Sequence, residues 1–314
     1  MRKILLASTA LVAMGVSAAS ADISISGSGK WSYSNVSKST DTANISGDSM
    51  TTSMGLTVSS SFASDNGLTY GTSHSLSSGS AGTNDGIKVF VAGSFGEIRA
   101  GGDSAGAAYD VDPSVTDGES AVSGTNFHGA PTTAKASDNG ISYFTPSVNG
   151  FSAGVSYDDK GAGAGENADV TEMGASYSQA VGDATVKISY AQRDTSSTNP
   201  GANNGSDATS MGATITMGDL SVTLAANSQE NDAGTEDANG TGIGLSYVLS
   251  EGLTLKAHTV SSDDDAAAAV DRSETAASLT YVVAPGLTAN VAYTDSEDGT
   301  LTGTATTAYL KVAF

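Results

Sequence analysis

The chain has no cysteine, so its fold holds without disulfides. Basic side chains are scarce too: 13 Lys and Arg stand against 34 Asp and Glu in 314 residues, a formal charge of −21. A nucleic-acid partner requires a basic face, and this balance excludes one. Runs apolar enough to cross a bilayer as a helix are missing as well. The one short run, Ile4 to Val16, follows Arg2-Lys3 and leads into Ser17-Ala-Ala-Ser-Ala21. That order predicts a secretory signal over residues 1–21, cleaved after Ala21. Its loss removes two bases and no acid, so the exported part, residues 22–314, is more acidic still. Histidine is limited to His74, His128 and His258, too dispersed for a metal motif.

What the sequence does contain is period-two alternation, from about residue 22 to Phe314. At the end of the chain, Ala308, Leu310, Val312 and Phe314 fall on one face, and Tyr309, Lys311 and Ala313 on the other. Such a pattern means strands whose two faces meet different surroundings. At the start, Ile23, Ile25, Trp31 and Tyr33 alternate with Ser24, Ser26, Ser28, Lys30 and Ser32. Similar segments recur, joined by short turns at Ser94–Gly96, Pro146–Gly150, Val181–Asp183, Met217–Asp219, Ser250–Gly252 and Ala284–Gly286. The segments around 68–76 and 169–180 are weaker. Between the short turns lie longer acidic stretches at 158–169, 194–208, 228–240, 261–271 and 295–303. Regular placement of the apolar residues excludes disorder.

About 16 such strands, an even number, predict an all-β fold: a transmembrane antiparallel β-barrel with lipid outside and water within. Short turns then face the periplasm and long loops the exterior. Tyr157, Tyr177, Tyr190, Tyr247, Tyr281 and Tyr293 sit near strand ends in the apolar phase, as an aromatic girdle requires.

The stretches SFGEIRAGGDSAGAAYD (94–110) and NGISYFTPSVNGFSAGVSYDD (139–159), the turns LSEGLTLKA and VAPGLTANVAYTDSEDG, and the terminal Phe314 together resemble the general diffusion porins of Gram-negative outer membranes. The likeness is to the alphaproteobacterial, Rhodobacter-like type, and it runs over the whole exported part. It implies a homotrimer of 16-stranded barrels in outer-membrane lipid, passing small hydrophilic solutes and ions by passive diffusion. It also implies that Phe314 is a signal to the barrel-assembly machinery. Residues of about 102–139 become a constriction loop folded into the lumen.

That loop holds Asp103, Asp110, Asp112, Asp117, Glu119 and Asp138 against the single Lys135. Carboxylates at a narrow point concentrate cations and repel anions. The bases in the lumen phase of their strands are Lys30, Lys88, Arg99, Lys187, Arg193 and Lys256. These are few and include no arginine cluster, so the expectation is weak cation selectivity rather than a strong field across the pore.

Other readings are weaker. Gly27-Ser-Gly-Lys30 resembles a phosphate loop only in its last letters, and a strand follows it. No Ser–His–acid trio stands out, so the chain is not expected to be an enzyme. No cofactor is expected. The acidic runs at Asp158-Asp159, Asp232–Asp237, Asp263–Asp265 and Glu297-Asp298 lack the spacing of a Ca²⁺ loop and leave room only for weak Ca²⁺ binding. A sugar-specific channel needs more lumen aromatics than Phe90, Tyr309 and the loop's Tyr109, and a dicarboxylate channel needs more positive charge. A non-conducting surface β-protein has no use for a girdle, a terminal aromatic or a long internal loop.

Overall fold

The computed structural model describes residues 22–39, 44–78, 84–101, 106–108, 111, 115, 140–159, 168–197, 205–232, 237–264, 271–299 and 301–314. Alternation is converted into strands throughout. They are β1 (Asp22–Ser39), β2 (Asn44–Ala63), β3 (Thr69–Ser77), β4 (Asn84–Gly93), β5 (Gly96–Ala100), β6 (Ile141–Phe144), β7 (Phe151–Asp159) and β8 (Ala168–Val181). The second half continues with β9 (Ala184–Ser197), β10 (Ser206–Met217), β11 (Leu220–Asn231), β12 (Asp237–Ser250), β13 (Leu253–Asp264), β14 (Arg272–Ala284), β15 (Leu287–Asp298) and β16 (Leu301–Ala313). Each pairs antiparallel with its sequence neighbours, and β1 pairs with β16, closing one barrel.

Closure is tight. β1 runs against β16 from Ser28↔Ala313 to Ser39↔Thr302. The last residue completes the seam: Phe314 N–H donates to Gly27 O, and Gly27 N–H donates to Phe314 O, both at 2.9 Å. The Phe314 ring lies over Gly27, where a Cβ would come within 2.7 Å of its Cζ. A closed ladder leaves no strand edge unpaired, which hydrocarbon would not tolerate.

The two faces separate as the alternation requires. Ile25, Met54, Ile188, Leu224, Ile243, Val291 and Leu310 all point outward and are exposed. Soluble proteins do not surround themselves with a continuous apolar band of this kind, so its solvent is lipid. Tyr177, Tyr247 and Tyr281 edge the band near the short turns, and Tyr157, Tyr190 and Tyr293 edge it near the loops. Above it the outward face becomes acidic, with Asp207 opposite both Asp194 and Glu230. Charges there mark the upper limit of the hydrocarbon.

The short-turn end is built on two-residue connections at 182–183, 218–219, 251–252 and 285–286. The wider turn before β7 uses Asn149 (φ 51°) and Gly150 (φ 85°), a left-handed pair that suits a hairpin.

At the other end the connections are shorter than the sequence suggests. The expected loops at 194–208, 228–240 and 261–271 contract to 198–205, 232–236 and 265–271, and 295–303 becomes a connection of Gly299 and Thr300. Apolar alternation stops at the membrane surface, but the hydrogen-bond ladder continues above it with polar residues on both faces. In the band, Leu224→Arg should cost about 2–4 kcal/mol of folding free energy in lipid vesicles, measured by denaturant titration. Thr223→Arg, one residue away but facing the lumen, should cost far less.

Candidate functional site

The lumen is polar and partly filled from within. Between β5 and β6 the chain leaves the barrel wall at Gly101 and returns at Gly140, where Gly101 N–H donates to Gly140 O at 2.9 Å. The described residues of this excursion lie against the inner wall. Ala107 and Ala108 have no solvent exposure, and Val111 has 7%. Exposed loops do not behave this way.

The segment is held by both hydrogen bonds and packing. Ala107 N–H donates to Ser156 Oγ on β7 at 3.0 Å. Ala108 N–H donates to Glu172 Oε2 on β8 at 3.4 Å, and Ser156 Oγ–H donates to the same oxygen at 3.2 Å. Glu172 is only 3% exposed and is balanced by Arg193, directly opposite it on β9, with Nε–Oε1 at 3.3 Å. Asp158, also buried, acts electrostatically on both partners. A carboxylate this buried needs such a cation and donors to stay ionised.

Packing depends on missing side chains. A Cβ at Gly174 would come within 2.4 Å of Ala107 O and of Val111 Cγ2. Farther along, a Cβ at Gly242 would meet Val115 Cγ2 at 2.7 Å, and one at Gly244 would meet Val115 O at 2.6 Å. The described residues Gly106, Ala107, Ala108, Val111 and Val115 therefore touch the inner wall at points from β7 to β12. Beside Gly244, and opposite it in register, His258 is buried with its Nε2 2.9 Å from Glu274 Oε1.

The six carboxylates Asp103, Asp110, Asp112, Asp117, Glu119 and Asp138 lie outside the described residues, as does Tyr109. Of their neighbours in sequence, Ala108, Val111 and Val115 are described and lie inside the barrel.

The lumen bases occupy different settings. Arg99 bonds Glu97 through its Nε at 2.9 Å and stacks over the inward Phe144 ring at 4.2 Å. Its charge is thereby largely engaged. Arg193 belongs to the loop anchorage. Lys88 lies on β4, opposite Ser73. Lys30 sits over the Tyr309 ring at 5.2 Å and opposite Lys311, a lumen base the sequence reading did not single out. Lys187 and Lys256 stand among hydroxyl side chains. Glu172, Glu274, Gly174, Gly242 and Gly244 were also not singled out. Their signal is present: glycine or acid where the strand's lumen phase otherwise places serine or threonine. No three or more His, Asp or Glu side chains gather as a metal site among the described residues.

A closed 16-stranded antiparallel barrel with an apolar outer belt and a chain segment fastened inside defines the class: an outer-membrane channel protein. The model of the Gram-negative porin family matches residues 7–310, and the chain belongs to that family. It is located in the Gram-negative outer membrane. No curated protein sequence matches it.

Solved structures share its fold. The anion-selective porin from Comamonas acidovorans superposes with a TM-score of 0.67 at 17% identity, covering 94% of this chain and 100% of that one. OmpF of Salmonella typhi, in complex with daunomycin, gives 0.70 at 15% identity, covering 93% and 97%. A variant of the Rh. blastica porin gives 0.63 at 17% identity, covering 93% and 100%. Family membership makes the chain a channel protein.

If the wall glycines hold the inner segment, replacing Gly174 and Gly244 together with leucine should dislodge it while leaving the outer ladder intact. The expected result is larger single-channel conductance and a larger sugar cutoff in liposome swelling. Separately, Glu172→Ala should destabilise the fold by about 3–5 kcal/mol in denaturant titration, because it removes the carboxylate opposite the buried Arg193 and leaves the Ala108 N–H without its acceptor.

Proposed function

We propose that this porin is a general diffusion channel for small hydrophilic solutes with weak preference for cations. The observation that carries the reading is that Ala107, Ala108, Val111 and Val115 are fastened against the inner wall. Chain lying there reduces the bore, and the constriction is assigned to the stretch of sequence around these residues. Asp110 and Asp112 flank its buried Val111, and Asp117 and Glu119 follow Val115 directly. Charge at a constriction dominates selectivity, because low-dielectric walls focus its field on the passing ion.

The wall favours unspecific passage. Its described aromatics are few: Phe90, Phe144 and Tyr309, with Phe144 already covered by Arg99. These do not form a continuous slide for sugars. No conformational cycle is required, since transport is passive and the gradient supplies the driving force.

The remaining proposals follow the family resemblance: removal of residues 1–21 on export, assembly as a homotrimer, and recognition of Phe314 by the barrel-assembly machinery. The exposure of the Phe314 ring at the seam suits a residue that is read before closure. Weak Ca²⁺ binding by the outer acidic loops is compatible with their charge.

Planar-bilayer recording in a KCl gradient tests the central reading. The expected reversal potential has the sign of cation preference, and neutralising Asp110, Asp112, Asp117 and Glu119 to Asn or Gln moves it toward zero. An anion-favouring potential in the unaltered protein, or one indifferent to these four changes, overturns the assignment to the loop.

A further inference from the structure

The bases on the lumen wall are not spread evenly along the pore. Lys187 is the fourth residue of β9, Lys256 the fourth of β13, and Arg99 the fourth of β5. Each of these strands begins at the short-turn end. Lys311 is third from the end of β16, which finishes there, and Lys30 lies opposite it on β1. Because the barrel order follows the chain, β1, β5, β9 and β13 are spaced at quarter turns. The bases thus form a girdle inside the short-turn half of the lumen.

Among the described residues their charge is little compensated. Lys187 has Ser178 and Thr214 as lateral partners, Lys256 has Ser246 and Ser278, and Lys311 has Lys30 and Thr288. None of these four lysines forms an ion pair among the described residues. The wall acid at this level, Glu97, is bonded to Arg99. Asp183, Asp219 and Glu251 lie in the turns rather than on the wall. In the other half, by contrast, Arg193, His258 and Arg272 each face a carboxylate: Glu172, Glu274 and Asp298.

We propose that Lys30, Lys187, Lys256 and Lys311 form an anion-holding vestibule on the short-turn side of the constriction, selective for small, multiply charged phosphates. The inference rests on the open-pore reading above. Four ammonium groups around one water-filled lumen act together on an ion near the axis when the screening length is about 10 Å, as at 0.1 M salt. A polyvalent phosphate interacts with several of them at once, whereas chloride gains little. Lysine suits such a site, as a hydrated point charge that attracts anions without fixing them in one geometry. The vestibule loads anions on one side of an acidic constriction, so the pore is electrically asymmetric along its axis.

The test is block of single-channel current by inorganic tripolyphosphate, added to one side or the other of channels inserted in a common orientation at 0.1 M KCl. Block should occur at much lower concentration from one side, and fade at 1 M KCl. The variant Lys30→Gln/Lys187→Gln/Lys256→Gln/Lys311→Gln should raise the blocking concentration by about tenfold or more, as the loss of several screened charge contacts implies. The corresponding Lys→Arg variant should retain block, which controls for folding. Equal block from both sides, or block unchanged in the glutamine variant, overturns the vestibule while leaving the porin reading intact. A folded, inserted protein that carries no current overturns both.

Discussion

Everything in this molecule depends on a backbone that has no unpaired edge. In hydrocarbon, each peptide group left without a partner costs several kilocalories per mole, so a sheet survives only as a closed ladder. The β1–β16 register and the final exchange between Gly27 and Phe314 supply that closure. Once the ladder is closed, the side chains of each strand are sorted by alternation alone. Apolar groups reach lipid, hydroxyls and charges reach water, and the barrel needs no packed hydrophobic core to be stable. This is why a chain with an unremarkable mean hydropathy of −0.10 and no disulfide can persist in a membrane.

The interior is organised by a second principle, the matching of shape to charge. A chain segment can lie flat on the inner wall only where the wall has no side chains in its way, and Gly174, Gly242 and Gly244 provide such places. Its backbone N–H groups need acceptors, which Ser156 and Glu172 provide. The buried Glu172 in turn calls for Arg193 on the next strand. Inner-wall residues, glycine track and ion pair are thus one device. Charge on the described wall is unevenly arranged along the axis, with paired acids and bases toward the loops and lysines toward the turns.

The sequence displays the barrel far more openly than its interior. Alternation in a segment such as Leu301–Ala313 needs no partner to be recognised, because both faces are written in the same few residues. Even β8, weak as a pattern, keeps Met173, Ala175 and Tyr177 in phase. The tops of the strands were less legible: above the membrane both faces are polar, so β9 to β15 read as loops where the ladder in fact continues. The path of the inner segment was hidden for a different reason. It is set by contacts between residues far apart in the chain, such as Val115 with Gly242, and a lumen-phase glycine looks like filler until something lies on it. The Glu172–Arg193 pair became visible only when the register placed its members opposite each other, and likewise Lys311 beside Lys30.

The central claim is that the chain around Ala107, Val111 and Val115 lies on the inner wall of the folded barrel, and disulfide trapping tests it most directly, since the native chain offers no competing thiol. With Val115→Cys and Gly242→Cys together, mild oxidation of the protein in native outer membranes should form the cross-link rapidly and to high yield, read as a mass loss of two hydrogens and a linked peptide. Val115→Cys paired with a cysteine at Leu224, on the lipid face, should not cross-link. Failure of the first pair to link in folded barrels would contradict the account.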